Sequence, residues 1–539
     1  MNESPPQTVN RALSPVPPGW FRFLAPSATD LIFVLLLAGL SCGRLATRLL
    51  SDAGIGWHIR NGEYMLATHA ITRTDPFSST MSGQPWYTWE WLYDLAIARI
   101  HDAWGLNGVT FVTALLIALT FAAVFRIALR RGTSLPVGVI LIILATFSSA
   151  IHFFARPHVL SWLLTVLWFC ILDSRTYARR LFWLPVLTLL WANLHGGFLV
   201  GFVLLGIYFA DSLIEVFVSH DPAGRQAAGK RCKTPATVGL LCMLASFVNP
   251  YGYKLHVHIY QYLSSRFLMN HIEEFLSPDF HGAAQKCFAV LLLIVILSLA
   301  AARRNKLRAA HLLVLLFAAY SGLYAARNIP VSSILFVLIT GPLLSQATAE
   351  AGSNGELPTR VSRFFSRLHA YAARMGRMEA GLRIHLWPLA AMILGVWICA
   401  HDGKLGSRQL MQSHFDENRF PVQAVDEIIR QGLREPIFAV DYWGGYLIYR
   451  LYAQANVVLD DRHDLYGAEF LKDYLRVVQI RPSWNKVLDQ RRIDWILVPT
   501  GSPLANILKD TAQWKIRYED AVGVVFQRTN PIASQTPGK

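Results

Sequence analysis

Residues 181–218 read LFWLPVLTLLWANLHGGFLVGFVLLGIYFADSLIEVFV. Two apolar runs, 181–196 and 198–218, meet at His195-Gly196-Gly197, and Asp211 and Glu215 are the only Asp, Glu, Lys or Arg in either. A helix needs roughly 17–25 mostly apolar residues to cross a bilayer core. Within hydrocarbon every backbone N–H and C=O must be paired inside the protein, which favours helices. The stretch therefore predicts two membrane helices with a polar interruption between them.

Outward from it the same punctuation recurs. Further apolar runs cover approximately 28–50, 108–126, 134–154, 158–174, 236–250, 284–302, 309–325, 329–347 and 384–401, giving about eleven spans. The chain of 539 residues is 53% hydrophobic and 16% charged, against a charged share of roughly 25% in soluble domains. Beyond His401 the apolar blocks stop and the composition becomes ordinary. The predicted fold class is a polytopic α-helical membrane protein with a C-terminal extracytoplasmic α/β domain. The Pro-rich residues 1–27 read as a disordered cytoplasmic arm, 28–401 as the transmembrane domain and 402–539 as the soluble domain.

The net charge of +15 is topology rather than a nucleic-acid footprint. Alternate gaps between spans concentrate cations: Arg126, Arg130 and Arg131; Arg175, Arg179 and Arg180; Arg225 to Lys233; Arg303 to Arg308; Arg360 to Arg383. The other gaps are poor in them. Positive loops stay inside, so the N-terminus is expected in the cytoplasm and the C-terminal domain outside, in a bacterial cytoplasmic (inner) membrane. In that domain 18 Lys/Arg nearly balance 17 Asp/Glu, and no nucleic-acid partner is expected. None of the six Cys lies there, and no Cys/His zinc spacing occurs.

The first external loop, 51–107, is far longer than a connection needs. Residues 56–68 and 89–104 suit amphipathic helices, and its Trp and Tyr residues suit the headgroup layer. The tail alternates strand-like runs (437–440, 456–460, 494–499, 514–518, 522–528) with helix-like runs (422–431, 444–453, 469–480, 484–490). Ionisable and amide groups gather at the outer span ends: Asp52, Arg156-Pro157-His158, Asn193 and His195, Glu273-Glu274, Arg327-Asn328. Such groups near a membrane are expensive and invite a functional reading. Together they would suit a charged lipid headgroup.

Trp57-His58, Gly62-Glu63, Asp75-Pro76-Phe77-Ser78, Pro85-Trp86 and Glu90-Trp91-Leu92, with WANLHGGF at 191–198, NPYG at 249–252 and DLYG at 464–467, resemble the multi-span glycosyltransferases of the GT-C type. The resemblance covers nearly the whole chain. It implies transfer of a sugar from a polyprenyl-phosphate carrier to a glycan, lipid or protein acceptor at the outer face of the membrane. It also implies a carboxylate just after the first span as the base that takes the acceptor's proton. Asp52 stands there, with Glu63 and Glu90 as alternates. The leaving phosphate must be met by Arg, amides or a divalent metal ion; Arg156, His158, Asn193, His195 and Arg327 are the carrier-binding candidates. Where the group often has a second acid two residues on, this chain has Gly54.

Each candidate has a plainer role available. Asp52 suits a helix cap, Glu90 a solvated helix face, Arg156 a contact to bulk lipid, and His195 a backbone partner at a helix break. Two other functions fit a polytopic chain: a non-enzymatic lipid or polysaccharide translocator, and an O-antigen-ligase-like or polymerase-like enzyme. A translocator should show internal repeats and charges buried in mid-span, whereas here the charges sit at span ends.

Overall fold

The computed structural model describes residues 24–174, 178–219, 221–302, 307–353, 358–382 and 385–532. The arm read over 1–27 lies outside them up to residue 23, as do Arg175, Arg303, Arg304, Lys306 and Arg383 of the cationic loops. Each apolar run contains a helix, from Ala28–Ser41 to Leu386–Ala400. By length and composition five helical segments among the described residues are able to cross a membrane: Trp91–Arg130, Leu135–His152, Phe198–Val218, Ala283–Ala301 and Ala326–Gly352. The bent pair Thr359–Gly381 and Leu386–Ala400 makes a sixth if it is one span, and four shorter apolar helices accompany them. Their outer faces are apolar: Leu35, Phe217 and Leu297 are 70%, 81% and 64% exposed. A soluble protein would bury such residues; hydrocarbon accommodates them.

Two breaks position the site. The run 28–50 is two helices, Ala28–Ser41 and Arg44–Leu49, because Gly43 sits at φ 68°, a conformation that glycine adopts without steric cost. The first begins with a capping box in which Ser27 and Asp30 each accept the other's backbone N–H. The second break is Gly105 (φ 58°), which separates the amphipathic start of Trp91–Arg130 from its long apolar part. The first loop thus folds into the helix Gly54–Thr68, irregular chain, and the helix starting at Trp91.

The tail carries a short ribbon, β1 (Lys404–Leu405) with β2 (Arg408–Gln409), and a four-stranded sheet in the order β3-β4-β6-β5. These are Ile437–Ala439, Trp495–Pro499, Gly523–Arg528 and Trp514–Glu519, with β3–β4 parallel and the other pairs antiparallel. The run 456–460 forms no ladder strand. Val457 makes isolated bridges to Ile437 and to Ser78, so first-loop chain takes the edge that another strand would need. A further helix, Pro503–Lys509, was not expected from the pattern.

Hydrophobic packing does not respect the composition boundary at His401. One core fills the helical bundle. The second is shared: Trp57, Phe77 and Trp86 of the first loop pack with Trp443, Tyr446 and Trp495 of the tail. The loop aromatics expected in the headgroup layer are therefore largely internal, with Trp57, Trp86 and Tyr93 at 8%, 4% and 6% exposure. Gly445, inside the helix Asp441–Leu451, and Gly56, inside Gly54–Thr68, explain how close the two parts come. A Cβ on Gly445 would overlap the Ala53 carbonyl, and one on Gly56 would overlap the Gly445 carbonyl. Buried Arg462 completes the joint by pairing with Asp460 (2.7 Å) and with first-loop Asp75 (2.8 Å), its guanidinium 4.4 Å from the Trp86 ring centre.

Candidate functional site

A cavity of about 630 Å³ lies where the first loop, the span ends and the tail meet. Asp52, Glu90, Arg156 and Arg327 all line it, joined by Glu274 and by Arg419, Asp441, Tyr442, Asp461, His463 and Asp464.

Asp52 lies in the link between Arg44–Leu49 and Gly54–Thr68, and its Oδ1 accepts the Gly54 N–H at 2.8 Å. Asp52 thus bonds the first N–H of the helix Gly54–Thr68 from outside its N-cap, which is Ala53, while it lines the cavity. Arg156 sits on a turn pinned to the first helices by the bond from Ala155 N–H to the Leu49 carbonyl, 2.8 Å. Its Nη1 is 3.5 Å from Asp52 Oδ1 and 3.0 Å from Asp461 Oδ2, while the Trp57 indole N–H donates to Asp461 Oδ1 at 3.0 Å. A Cβ on Gly54 would collide with this guanidinium. The missing second acid is therefore the space that Arg156 fills. Burial pushes the Asp461 carboxyl up, with Arg156 pulling the other way.

Arg327 faces Glu274 at 3.1 Å and lies 4.4 Å from the Phe275 ring centre. Burial works against the Glu274 charge, but Arg327 and Arg156 outweigh it and hold the carboxyl at about 2. Glu90 behaves oppositely. It stands between His58 Nε2 (3.7 Å) and His195 Nε2 (3.6 Å), with a side chain 13% exposed, and burial pushes its carboxyl up to about 8.

On the tail side His463 Nε2 is 3.0 Å from Asp441 Oδ2, and the Tyr474 hydroxyl donates to Asp441 Oδ1 at 2.8 Å. Burial alone would lower His463; the Asp441 carboxylate raises it instead. Asp464 meets His258 at 3.1 Å. Arg419 has no ion pair among the described residues.

The other expected residues lie elsewhere. Glu63 points away from the cavity, to Arg60 (2.6 Å) and His101 (3.3 Å). His158 bonds the His152 carbonyl at 2.8 Å. Asn193 accepts from Trp91 Nε1 at 2.8 Å and donates to the Leu189 and Val248 carbonyls, bracing the bundle beside a separate apolar groove. His195 is one residue back from the cavity, touching it through Glu90. The tail's share was not among the candidates, although Asp464 opens the DLYG motif: Asp460-Asp461 suits a plain strand-end turn, and Asp441 and His463 carry no motif. Its signal was the density of ionisable groups in the five consecutive residues from Asp460 to Asp464.

No group of three His, Cys, Asp or Glu side chains among the described residues converges as a metal site. The space between Asp52 and Asp461, where a divalent cation would need free carboxylates, holds a guanidinium. The residues present do not fit a divalent metal.

The fold of this chain is similar to that of the Archaeoglobus fulgidus oligosaccharyltransferase. Superposition on the Archaeoglobus fulgidus oligosaccharyltransferase in the apo form gives a TM-score of 0.50 over 88% of this chain and 69% of that one, at 11% identity. ArnT from Cupriavidus metallidurans in the apo state matches over 92% of this chain and 95% of that one, at 14% identity and a TM-score of 0.45. No protein-family profile and no curated protein sequence matches the chain.

Proposed function

We propose that this chain is a glycosyltransferase that moves a sugar from a polyprenyl-phosphate carrier to an envelope acceptor at the outer face of the bacterial cytoplasmic membrane. The observation that supports it most is the cavity itself: Asp52, Arg156 and Arg327, separated widely in sequence, converge at the span ends under a docked soluble domain. The acceptor hydroxyl oxygen attacks the anomeric carbon as the bond from that carbon to the phosphate oxygen breaks. Asp52 takes the hydroxyl proton. Arg327, with Arg156 behind it, meets the charge on the departing phosphate. Asp52 fits the base better than its alternates, because Glu63 does not reach the cavity and Glu90, at about 8, is mostly protonated at neutral pH.

The test is purified protein in lipid with a polyprenyl-phosphate sugar donor, carrier binding and sugar transfer being read separately. Envelope glycans and polyprenyl-linked sugars compared with and without the protein would identify the acceptor. Binding and transfer are the expected outcome. An unchanged envelope together with no carrier binding would remove the reading, and carrier binding with movement across the bilayer but no transfer would favour a translocator.

A further inference from the structure

Behind the cavity wall the hydrogen-bonding atoms form a chain whose order their partners impose. Trp191 Nε1–H, which can only donate, points at Ser161 Oγ at 2.7 Å. Ser161 Oγ lies 2.7 Å from His195 Nδ1, and the Gly197 N–H donates to that same nitrogen at 3.0 Å. A nitrogen that accepts a backbone N–H carries no proton, so the proton of neutral His195 is on Nε2, facing Glu90 Oε1. From Glu90 the line continues to His58 Nε2, which is fully buried and has no hydrogen-bond partner among the described residues. His58 Nδ1 lies 2.5 Å from Asp94 Oδ1, Asn61 donates to Asp94 Oδ2 at 2.6 Å, and Thr72 donates to Asn61 at 2.7 Å.

Glu90 and Asp94 are thus two carboxyl groups on either side of one imidazole, both in the cavity lining, Glu90 partly open to it and Asp94 buried in its wall. With the charge on Asp94, His58 is protonated on Nδ1 and its bare Nε2 needs a donor, which a neutral Glu90 supplies. Two proton hops through the ring reverse the assignment and leave the charge on Glu90. The gaps of 3.6 and 3.7 Å beside Glu90 exceed hydrogen-bond length by a few tenths of an ångström, and such contacts commonly tighten when substrate binds.

We propose that Glu90, His58 and Asp94 form a proton relay in which Glu90 protonates the departing phosphate oxygen and His58 and Asp94 set its charge. The inference rests on the glycosyl-transfer reading. Acceptor hydroxyl plus glycosyl phosphodiester gives glycoside, phosphate monoester and one proton, and a proton delivered to the departing oxygen as its bond breaks neutralises the charge that develops there. Asp52 takes the hydroxyl proton and Glu90 gives one, both from the lining of one cavity. The proton on Asp52 then returns to Glu90 across the cavity, and the site is restored. The catalytic residue is Glu90; His58 and Asp94 are positioning residues. Arg156, Arg327, Glu274 and Asp464 also face Glu90 and bear on its charge.

The expected pH behaviour follows in sign. Transfer needs protonated Glu90, whose carboxyl burial raises to about 8, so kcat should fall as pH rises through about 8. Glu90→Gln should lower kcat by roughly 10²-fold, leave carrier binding unchanged and abolish that alkaline limb. Asp94→Asn removes the carboxyl that carries the negative charge in one of the relay's two states, eases ionisation of Glu90 from that state, and should move the limb to lower pH; a merely structural Asp94 would lower activity without moving it. A readout independent of turnover is the infrared carbonyl band of a protonated carboxylic acid, present in the wild type, titrating near pH 8 and absent in Glu90→Gln. Wild-type transfer with no such band, or Glu90→Gln with full kcat and the same limb, would overturn the relay. The band present without transfer by the wild type would instead remove the glycosyltransferase reading.

Discussion

The helical bundle carries buried ion clusters at both ends, and the two are built on different rules. The helix His158–Asp173 starts beside Arg156 and the cavity and runs for 16 residues to Asp173, about 22 Å away at 1.5 Å per residue. At that far end Asp173 accepts from Arg131, from Arg308 (3.2 Å), from His311 (2.8 Å) and from the Tyr208 hydroxyl (2.8 Å). Asp211 accepts from Arg308 (2.8 Å) and the Ala310 N–H (2.9 Å). Both carboxylates are ringed by donors. At the cavity end the Glu90 carboxyl and His58 Nε2 have no hydrogen bond among the described residues, and Arg419 has no ion pair. A saturated buried network specifies packing, while an unsaturated one costs stability and persists where something else completes it. The contrast separates a structural cluster from a site.

The contrast breaks outright if the cavity end does not face outward. Reporter fusions after Gly105 and Lys404 should read external, and fusions after Arg131 and Arg180 cytoplasmic. The reversed pattern would put the cavity on the cytoplasmic side and remove an outer-face donor.

The next largest effect belongs to Asp52. Asp52→Asn keeps size and much of the hydrogen bonding while removing the proton acceptor, so turnover should fall by roughly 10²–10⁴ with expression and carrier binding nearly intact. Exposed Asp102→Asn, in the same loop, is the control. At the far end the signs exchange. Asp173→Ala leaves Arg131 and His311 without their carboxylate and Arg308 with Asp211 alone, a change that costs about 3–5 kcal/mol in buried networks. Its thermal inactivation should move sharply, while turnover of the surviving protein stays at the wild-type value. Turnover lost without any loss of stability would reverse the roles of the two clusters.

Arg156 and Arg327 sharpen the contrast within the cavity. Arg327→Ala should weaken carrier binding by roughly 10- to 100-fold, the worth of one charge-assisted hydrogen bond, with little effect on thermal stability. Arg156→Ala should do both, because it also leaves Asp52 and Asp461 unpaired at the junction with the tail. Equal behaviour of the two variants in binding and melting would mean that Arg156 does not join the tail to the bundle.

What could be read from sequence and what could not follow one physical division. Each apolar run contains a helix because lipid demands long, uninterrupted apolar stretches, a signal carried by neighbours in the chain. The breaks were harder: Gly43 splits a run that looks continuous, since two glycines in 23 residues barely alter the apolar pattern, and nothing marks Gly43 rather than Gly39 as the break. Five cavity residues, Asp52, Arg156, Glu273, Glu274 and Arg327, were legible as ionisable groups at span ends. Asp461, Asp441 and His463 were not, because nothing local says that a soluble tail folds back onto residues 300 or more positions earlier. The same tertiary contact converts the aromatics of the first loop from surface to core. The chemistry of Glu90 hangs on His58 and His195, which reach it from two other elements; Glu90-Trp91-Leu92 and Trp57-His58 were visible only as separate fragments.

The smallest expected effect tests the assignment most directly. Glu63 was a candidate base by its place in the first loop, and its carboxyl is a third exposed, paired with Arg60 on its own helix and with His101. Burial would raise its titration, and the bonds from His101 and Arg60 bring it down instead. It is therefore a carboxylate at neutral pH with no line to the cavity, and exposed pairs of this kind contribute about 0–1 kcal/mol. Glu63→Gln should leave turnover within about twofold and shift stability by no more than that range. Side by side with Asp52→Asn, it compares two acids of one loop that differ in direction alone: one opens on the cavity beside Arg156, and the other turns toward Tyr449 and His101. If Glu63→Gln were to lose turnover as Asp52→Asn does, direction would not be what matters, and the catalytic centre would have to lie on the Arg60 side of the helix Gly54–Thr68.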